Sequence, residues 1–332
     1  MSCQENLERK AIKAGNPAMA EHSTIEWTDA TWNPVTGCSV VSPGCTNCYA
    51  MRLAGTRLRN HPSRAGLTVE SKARGVEAAG RQGSKKSKPV WNGQVRLNEQ
   101  WLDEPLRWKR PRMIFVCAHG DLFHESVPDE WIDRVFAVMT LATQHTFQVL
   151  TKRSARMRDY LLAARSRNAA PTKAWPLPNV WLGVSAERQL EADERIPDLL
   201  ATPAAVRFLS AEPLLGPINL RSIDISGDEE ILPLGAGWLD RLEEGEAEGP
   251  RLDWVIAGGE SGVDARPMHP AWARQLRDQC TAAGVPFFFK QWGEFTPDDP
   301  ASTHTAMRQV GKKAAGRLLD GVEHNAMPEP RP

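Results

Sequence analysis

The sequence lacks several features that would place it in a broad class at once. Lys plus Arg and Asp plus Glu both number 41, so the formal net charge is zero and no overall basic field favours nucleic acid as a partner. No run of about 18 apolar residues occurs, which argues against a membrane-spanning helix. The opening stretch MSCQENLERKAIKAG has no apolar signal-peptide core. We therefore expect a cytoplasmic protein with no membrane association.

Common nucleotide-binding signatures and a disulfide pattern are missing too. No G-x-G-x-x-G follows the first predicted strand, and no G-x-x-x-x-G-K-[ST] occurs, so dinucleotide-binding and P-loop classes lose their main support. Cys3, Cys117 and Cys280 are scattered along the chain, and the last two fall in apolar or helical patterns typical of small buried residues. In a reducing cytoplasm, the three remaining clustered cysteines indicate metal binding or catalysis.

What the chain does contain is a repeated strand–helix rhythm, and its 41% hydrophobic residues suffice for a large core. Such alternation predicts an α/β fold with a parallel sheet, and eight strand units favour a (β/α) barrel, complete or partial, over a doubly wound sheet. The predicted strands are 24–32, 94–97, 113–117, 147–150, 180–184, 206–209, 254–257 and 285–289, and the predicted helices are 49–58, 98–109, 129–143, 154–164, 187–200 and 270–283.

The same pattern divides the chain into a flexible N-terminal arm (1–22), one barrel domain (23–295) and a loosely attached C-terminal tail (296–332). Two insertions interrupt the barrel domain. The segment 222–250 is acidic, and the segment 61–89 is basic, which indicates either a solvated mobile insertion or a flap that contacts phosphates. The basic residues of 61–89 are Arg64, Lys72, Arg74, Arg81, Lys85, Lys86 and Lys88.

The most informative stretch is TGCSVVSPGCTNCYA (36–50), which places Cys38, Cys45 and Cys48 in one Gly/Pro-containing loop after the first predicted strand. Thiolates are soft ligands that suit zinc or iron–sulfur clusters. A structural zinc site needs a fourth ligand, which His61 or Cys3 could supply. Without one, a cluster held by three cysteines keeps one iron open to an exogenous ligand. Cluster, zinc and plain thiols all stay open at this point.

Polar side chains follow six consecutive predicted strands. Because active sites of parallel barrels lie at the carboxyl ends of the strands, we expect these side chains to converge on one mouth. Some of them could instead cap helices or pair with one another. They are His119 and Asp121, Lys152 and Arg153, Ser185 and Glu187, Glu212, Glu260 and Ser261, and Lys290 and Gln291.

Seven motifs, spread from the first strand to the last, resemble a phage-associated family of unknown function that is regarded as radical-SAM-like. The genes of that family lie beside one for a three-Cys-motif partner protein. The motifs are TGCSVVSPGCTNCYA (36–50), FVCAHGDLF (115–123), LTKRS (150–154), WLGVSAE (181–187), RFLSAEPLLG (207–216), WVIAGGESG (254–262) and VPFFFKQWG (285–293).

The resemblance implies a TIM/radical-SAM type of barrel and a [4Fe–4S] cluster on Cys38, Cys45 and Cys48 that binds S-adenosylmethionine. One-electron cleavage then yields methionine and a 5′-deoxyadenosyl radical. The phage association points to a nucleic-acid base or nucleotide as substrate and to the partner protein as an interaction partner. The chain departs from the usual C-x3-C-x2-C spacing, because six residues separate its first two cysteines. Asn47 also occupies a position that is commonly aromatic.

The resemblance and the strand-end pattern together assign the remaining candidate residues. Cofactor contacts are expected from Tyr49, Ser185, Glu187, Gly258, Gly259 and Glu260, and substrate contacts from Asp121, Lys152, Arg153, Glu212, Lys290 and Gln291. The alternative function is a zinc- or cluster-stabilised, non-catalytic binding module that works with a partner protein. A non-radical S-adenosylmethionine-dependent methyltransferase or hydrolase ranks last, because no glycine-rich methyltransferase motif follows an early strand.

Overall fold

A central eight-stranded sheet organises the computed structural model, which describes residues 19–20, 23–71, 87–166, 175–224, 230–235, 237–238, 249–299 and 306–329. The strands lie side by side in chain order, and seven of them are parallel, whereas the first pairs antiparallel with the second. Among the described residues, the first and last strands do not pair, so the sheet is an open half-barrel. The strands are β1 (Met19–Ala20), β2 (Ala30–Trp32), β3 (Met113–Val116), β4 (Thr146–Thr151), β5 (Val180–Ser185), β6 (Val206–Ala211), β7 (Trp254–Gly258) and β8 (Phe287–Gln291).

Among the described residues, five helices of seven or more residues accompany the sheet, and each lies in a connection between two parallel strands. They are α1 (Tyr49–Gly55), α2 (Asp129–Leu141), α3 (Ser154–Ser166), α4 (Gln189–Ala201) and α5 (Pro270–Ala283). The start of α5 is specified locally, because the His269 side chain accepts a hydrogen bond from the Ala271 N–H and Pro270 suits the first turn. Its end is specified by Gly284, which adopts a left-handed conformation with φ of 66°. No described helix has both the length and the apolar character needed to cross a membrane.

The two faces of the sheet bury different apolar groups, because successive side chains on a strand point to opposite faces. On β6, Leu209 and Ala211 join the main core that includes helix residues such as Leu199 and Leu276. Val206 and Phe208 instead join a second cluster on the concave face, which we call the lumen cluster. Its members are Trp27, Phe115, Ala118, Trp181, Val206, Phe208, Trp254, Ile256 and Phe288.

The predicted second strand does not belong to this sheet. Only Arg96–Leu97 is extended, and it pairs antiparallel with Val35–Thr36. The predicted helix 98–109 is broken into a 3-10 turn (Glu99–Trp101) and one short α-turn (Glu104–Arg107). Because Pro105 lacks a backbone N–H, it fits the start of the second turn but not the middle of a longer helix. The first predicted strand is also shorter than expected, since only Ala30–Trp32 is paired in the sheet. One strand–helix unit is therefore absent from the sheet, which makes the barrel partial.

The two insertions and the C-terminal segment have ordered parts. In 61–89, a hairpin joins Thr68–Ser71 to Lys88–Trp91, and Arg64 is buried instead of solvated. Residues 72–86 lie outside the described part of the chain, as do residues 1–18 of the predicted arm. In 222–250, Ile223–Asp224, Glu230–Leu232 and Gly237–Trp238 form a small antiparallel sheet.

The C-terminal segment, for which the sequence predicts loose attachment, is hydrogen-bonded to the sheet over residues 306–329. The Phe289 N–H donates to the His324 carbonyl, and the indole of Trp254 donates to the Ala326 carbonyl. Met307–Gln309 pairs with Phe295–Pro297, and a short helix follows at Lys312–Ala315. This segment packs against the last strands because their backbone and indole N–H groups need acceptors.

Candidate functional site

A cavity of about 440 Å³ opens at the carboxyl ends of the parallel strands, and we call it the mouth. Its volume lies within the range of sites for small molecules and cofactors. Of the predicted cysteine ligands, cofactor contacts and substrate contacts, only Glu187 and Gly258 are not part of its lining within the described chain, and His119 of the strand-end set does not line it either. The predicted residues that line it are Cys38, Cys45, Cys48, Tyr49, Asp121, Lys152, Arg153, Ser185, Glu212, Gly259, Glu260, Lys290 and Gln291.

The cysteine loop is tethered to the sheet where it enters the mouth. The Gly37 N–H donates to the His119 carbonyl at 3.2 Å, and Gly37 forms a bridge with Gly120 in the loop after β3. The loop then makes a 3-10 turn at Pro43–Cys45, and α1 begins directly after Cys48. The Gly/Pro content of the sequence thus appears as a tight path between β2 and α1.

Glu187 anchors this loop. Its fully buried carboxylate accepts hydrogen bonds from the Gly44 N–H at 2.7 Å, Lys152 Nζ at 3.1 Å and Arg195 Nη1 at 3.3 Å. Burial acts to raise the pKa of Glu187, but Lys152, the Ser42 hydroxyl, the Gly44 N–H and Arg195 together lower it to about 2. A Cβ atom on Gly44 would lie 2.9 Å from the Glu187 carboxyl carbon, so this approach requires glycine. The structure therefore places Glu187 behind the loop, and not at the cofactor position that the sequence predicts.

Glu260 holds the other side of the same loop. It accepts hydrogen bonds from Asn47 Nδ2 at 3.1 Å and from Arg266 through Nε at 2.9 Å and Nη2 at 2.6 Å. The same guanidinium donates to the Pro43 carbonyl at 2.9 Å. Burial acts to raise the pKa of Glu260, but the hydrogen bonds from Arg266 and Asn47 lower it overall. Asn47, the residue before the third cysteine, thus fastens the loop to Glu260.

Arg153 connects Cys38 to the end of β4. Its Nη1 donates to Asp121 Oδ2 at 3.1 Å and lies 3.4 Å from Cys38 Sγ, and its Nη2 donates to Ser39 Oγ at 2.6 Å. Asp121 also accepts a hydrogen bond from the Thr151 hydroxyl at 2.7 Å. Arg153 and Asp121 are both buried, at 8% and 4% exposure. The polar atoms of this pair are used to hold the cysteine loop. Few of them are therefore available for the substrate contact that the sequence predicts.

Cys48 is surrounded by hydrogen-bond donors. The backbone N–H groups of Ala50 and Met51 and the Trp91 side chain lie close enough to its sulfur to favour the thiolate. Burial raises the pKa of the Cys48 thiol, the nearby Cys45 adds to the rise, and these donors oppose it. Several N–H donors aimed at one sulfur favour a thiolate, which is the ligand form.

The three thiols fit a metal site in chemistry, although they are not gathered as ligands of one ion. Burial, the nearby Asp121 and the other two cysteines raise the pKa of Cys38 to about 12, against the lowering effect of Arg153. Additional positive charge beside Cys38 would favour its thiolate, the form that binds a metal. Within the described residues, no group of three or more His, Cys, Asp or Glu side chains is arranged to hold a metal ion.

Of the two side chains that could complete a zinc site, His61 is described and is engaged elsewhere. His61 Nδ1 lies 2.7 Å from Ser63 Oγ, and its ring stacks on Trp101 at a centroid distance of 6.0 Å. His61 is not part of the cavity lining. Cys3 lies outside the described residues.

The opposite wall carries a more accessible charged pair. Lys290 Nζ lies 3.2 Å from Glu212 Oε1, and the Ser210 hydroxyl donates to Glu212 Oε2 at 3.3 Å. The two charged side chains are 18% and 14% exposed. A Cβ atom on Gly258 would lie 2.5 Å from Glu212 Oε1, so this glycine gives Glu212 the room to cross β7 towards β8. Gly258 thus supports the wall, whereas the sequence predicts a direct cofactor contact.

Tyr49 borders the mouth above a buried cation. Its hydroxyl donates to the Ala118 carbonyl at 2.7 Å, and its ring meets His119 edge-on. Arg64 Nε donates to His119 Nδ1 at 3.4 Å, while burial and Arg64 lower the pKa of His119 to about 3. The imidazole therefore stays neutral and serves as an acceptor.

Several residues of the site were not singled out in the sequence. Arg266 and Trp91 come from loop and hairpin positions that carry no strand-end signal, and Lys312 lines the mouth from the C-terminal segment. Ser210 could have been found, because it alternates with Phe208 on the inward face of β6. Trp27 reaches the floor of the mouth from the chain before β2.

Of the comparisons with known proteins, one gives a match, and that match covers nearly the whole fold. No curated protein and no solved structure matches the chain. The model of a family described as "Protein of unknown function (DUF5131)" matches residues 22–328, which include the cysteine loop, every parallel strand and most of the C-terminal segment. The chain therefore belongs to the DUF5131 family.

Proposed function

We propose that this protein is a radical-SAM-like iron–sulfur enzyme of the half-barrel type. The observation that carries the proposal is the position of three thiols in one cavity at the carboxyl ends of seven parallel strands, facing the Glu212–Lys290 wall. Barrel enzymes carry out their chemistry at this end. The substrate suggested by the resemblance is a nucleic-acid base or nucleotide.

The donor set supports a cluster over zinc. The cysteine loop supplies three thiols and His61 lies outside the mouth, whereas a structural zinc site takes four protein ligands. In a cubane cluster each cysteine binds a different iron, so three cysteines suffice and one iron stays open. When bound, a cluster with one open iron supplies the electron for reductive cleavage of S-adenosylmethionine.

The chain's own residues then have three tasks. Arg153, Trp91 and the N–H groups at the start of α1 donate to the cysteine sulfurs and balance their negative charge. Tyr49, Ser185, Gly259 and Glu260 border the space where the cofactor would lie. Lys290 and Glu212 present opposite charges that can orient a polar ligand above the aromatic floor of Trp27 and Phe115. That floor excludes water from the lower side of the mouth.

Anaerobic purification tests the proposal. We expect a brown protein with about four irons and four sulfides per chain, a spectrum that changes on addition of S-adenosylmethionine, and formation of 5′-deoxyadenosine after reduction. Cys38→Ala, Cys45→Ala and Cys48→Ala together should abolish the colour. Cys280→Ala is the matched control and should retain it, because Cys280 is buried in the main core and is not part of the cavity lining.

Two other results would contradict the proposal. A colourless protein with one zinc would exclude the cluster. A cluster-containing protein that neither binds S-adenosylmethionine nor forms 5′-deoxyadenosine would favour the non-catalytic binding module, for which a three-Cys-motif protein is the proposed partner.

A further inference from the structure

The region around the cysteine loop has an uneven charge distribution that the neutral whole-chain total conceals. Residues 30–69 contain no Asp or Glu, yet they include Arg52, Arg57, Arg59 and Arg64. This segment comprises the cysteine loop, α1 and the turns that follow α1. Its positive charge is therefore not balanced within the segment itself.

Three of these arginines are free at the surface. Arg52 lies on α1, Arg57 and Arg59 follow directly after its end, and all three are exposed. None of their guanidinium groups makes an ion pair or a side-chain hydrogen bond with the described part of the chain. We call these three side chains the arginine face.

Three of the other described exposed arginines are paired with a carboxylate, whereas Arg110 and Arg221 are not. Arg107 pairs with Asp103 at 2.5 Å, Arg134 with Glu99 at 2.9 Å, and Arg308 with Asp298 at 3.1 Å. Such pairs cancel the local field. The arginine face is thus a local surplus of positive charge on a protein whose other exposed arginines are commonly neutralised by a carboxylate.

One member of the arginine face, Arg52, contacts the loop after β7, which contributes Glu260 and Ser261 to the mouth. A Cβ atom on Gly262, in the loop after β7, would lie 2.5 Å from Arg52 Nη1, so the guanidinium packs against that loop. The carboxylate of that loop, Asp264, is already paired with Lys88 at 2.6 Å. Beneath the surface, the buried Arg64 has no carboxylate among its described partners, and its positive charge adds to the field.

We propose that the arginine face binds the phosphates of a nucleic-acid strand and holds it across the mouth. Guanidinium groups match phosphate geometry with paired N–H donors and are less strongly hydrated than ammonium groups. Phosphate contacts fix the register of a strand and do not select its sequence, so a base beside the contacted phosphates can be presented to the cavity. Binding itself rests on the charge pattern alone. The further step, that the strand carries the substrate, rests on the proposed function.

Fluorescence anisotropy with labelled single-stranded DNA, duplex DNA and RNA oligonucleotides, measured over a range of salt concentrations, tests this interface. The full-length chain should bind at least one of them. Arg52→Ala, Arg57→Ala and Arg59→Ala together should weaken that binding on the order of tenfold or more. They should also reduce the slope of log K against log salt by roughly 2 to 3, since each lost phosphate contact removes about 0.7 to 0.9. The matched control combines Arg107→Ala, Arg134→Ala and Arg308→Ala, which remove the same charge and should leave binding within about twofold.

Three outcomes would overturn the proposal: no binding to any of the oligonucleotides, equal losses in both triple variants, or equally strong binding of labelled polyglutamate. The last would show a surface for acidic polypeptides. Because the assay needs neither cluster nor S-adenosylmethionine, it is run on the wild-type chain and on the variant that lacks Cys38, Cys45 and Cys48. Binding by both, without iron in either preparation, would leave the interface standing while the enzymatic proposal fails.

Discussion

The lumen cluster and the mouth are built from the same strands, yet they differ completely in chemistry. On β6, Phe208 packs in the lumen cluster and Ser210 lines the mouth two residues later; on β8, Phe288 and Lys290 are related in the same way. The rings of the lumen cluster pack against one another, as Trp254 does with Phe288 at a centroid distance of 6.0 Å, and the Arg317 guanidinium lies over the Phe288 ring at 5.2 Å. At the mouth, the buried charges of Glu187, Glu260 and Asp121 are hydrogen-bonded to partners.

The difference shows that the lumen cluster supplies stability, whereas the mouth keeps accessible groups for function. Apolar packing in the lumen cluster stabilises the half-barrel without specific partners. Buried charges at the mouth persist only when they are paired, so most of them are committed to shaping the cysteine loop. What remains accessible is the three thiols and the Glu212–Lys290 wall. Four substitutions test this division, from the largest expected effect on stability to the smallest.

Truncation of the lumen cluster should have the largest effect. Trp254 is fully buried, contacts four aromatic rings and donates its indole N–H to the Ala326 carbonyl. We expect Trp254→Ala to lower the free energy of unfolding by about 3–5 kcal/mol, through lost contacts and a cavity. Urea denaturation measures this change. Trp254→Phe is the control. It should lose less than half of the unfolding free energy that Trp254→Ala loses. Equal losses in the two variants would contradict a packing role.

Removal of the Glu187 carboxylate, which anchors the cysteine loop, should have the second-largest effect on stability. Glu187→Ala leaves Lys152 and Arg195 without their shared carboxylate, so we expect a loss of about 3 kcal/mol. The pKa of Glu187 is depressed to about 2, so its ionic contribution is present above its unfolded-state pKa of about 4.3 and declines as the pH falls through 4.3 towards 2. Stability curves of wild type and Glu187→Gln should therefore converge at low pH. Curves that stay parallel between pH 6 and pH 3 would argue against the anchor.

A larger residue at Gly44, where the loop contacts Glu187, should have an intermediate effect on stability. A methyl group at Gly44 would lie 2.9 Å from the Glu187 carboxyl carbon, so Gly44→Ala should displace the cysteine loop at a cost of about 1–3 kcal/mol. The amount of iron that stays with the protein after anaerobic gel filtration should also fall. Gly235→Ala provides a control, because its added Cβ would meet Leu232 at 3.4 Å, an ordinary contact distance. If both variants retain iron equally, the Gly44–Glu187 contact does not control the loop.

The accessible wall should matter least for stability. Glu212→Gln combined with Lys290→Met removes a pair that is only 14% and 18% exposed but is not linked to the cysteine loop. We expect a change in unfolding free energy of about 1 kcal/mol or less, since replacing both partners leaves no unpaired charge. The affinity of the mouth for S-adenosylmethionine, measured by titration calorimetry, should fall clearly. A large stability loss with unchanged binding would reverse the assignment of this wall.

The sequence predicted the parallel strands and α5 well, because alternation and local capping act over a few residues. It also predicted that the strand-end side chains meet at one mouth, which follows from the geometry of any parallel sheet. It failed at Arg96–Leu97, where a β-rich run pairs with Val35–Thr36 outside the sheet. Pairing partners depend on contacts distant in sequence, which a local pattern does not contain.

Taken alone, the sequence determined the soft-ligand loop of Cys38, Cys45 and Cys48, the strand–helix order and the acid-free stretch 30–69. These properties depend on residue type and spacing. The tertiary structure decided which strand-end charges are committed to the loop, as Glu187 is, and which stay accessible, as Lys290 does. It also brought Trp91 to Cys48 and Arg52 to the loop after β7. The physical reason is that burial and pairing set the cost of a charge, and both are properties of the folded chain.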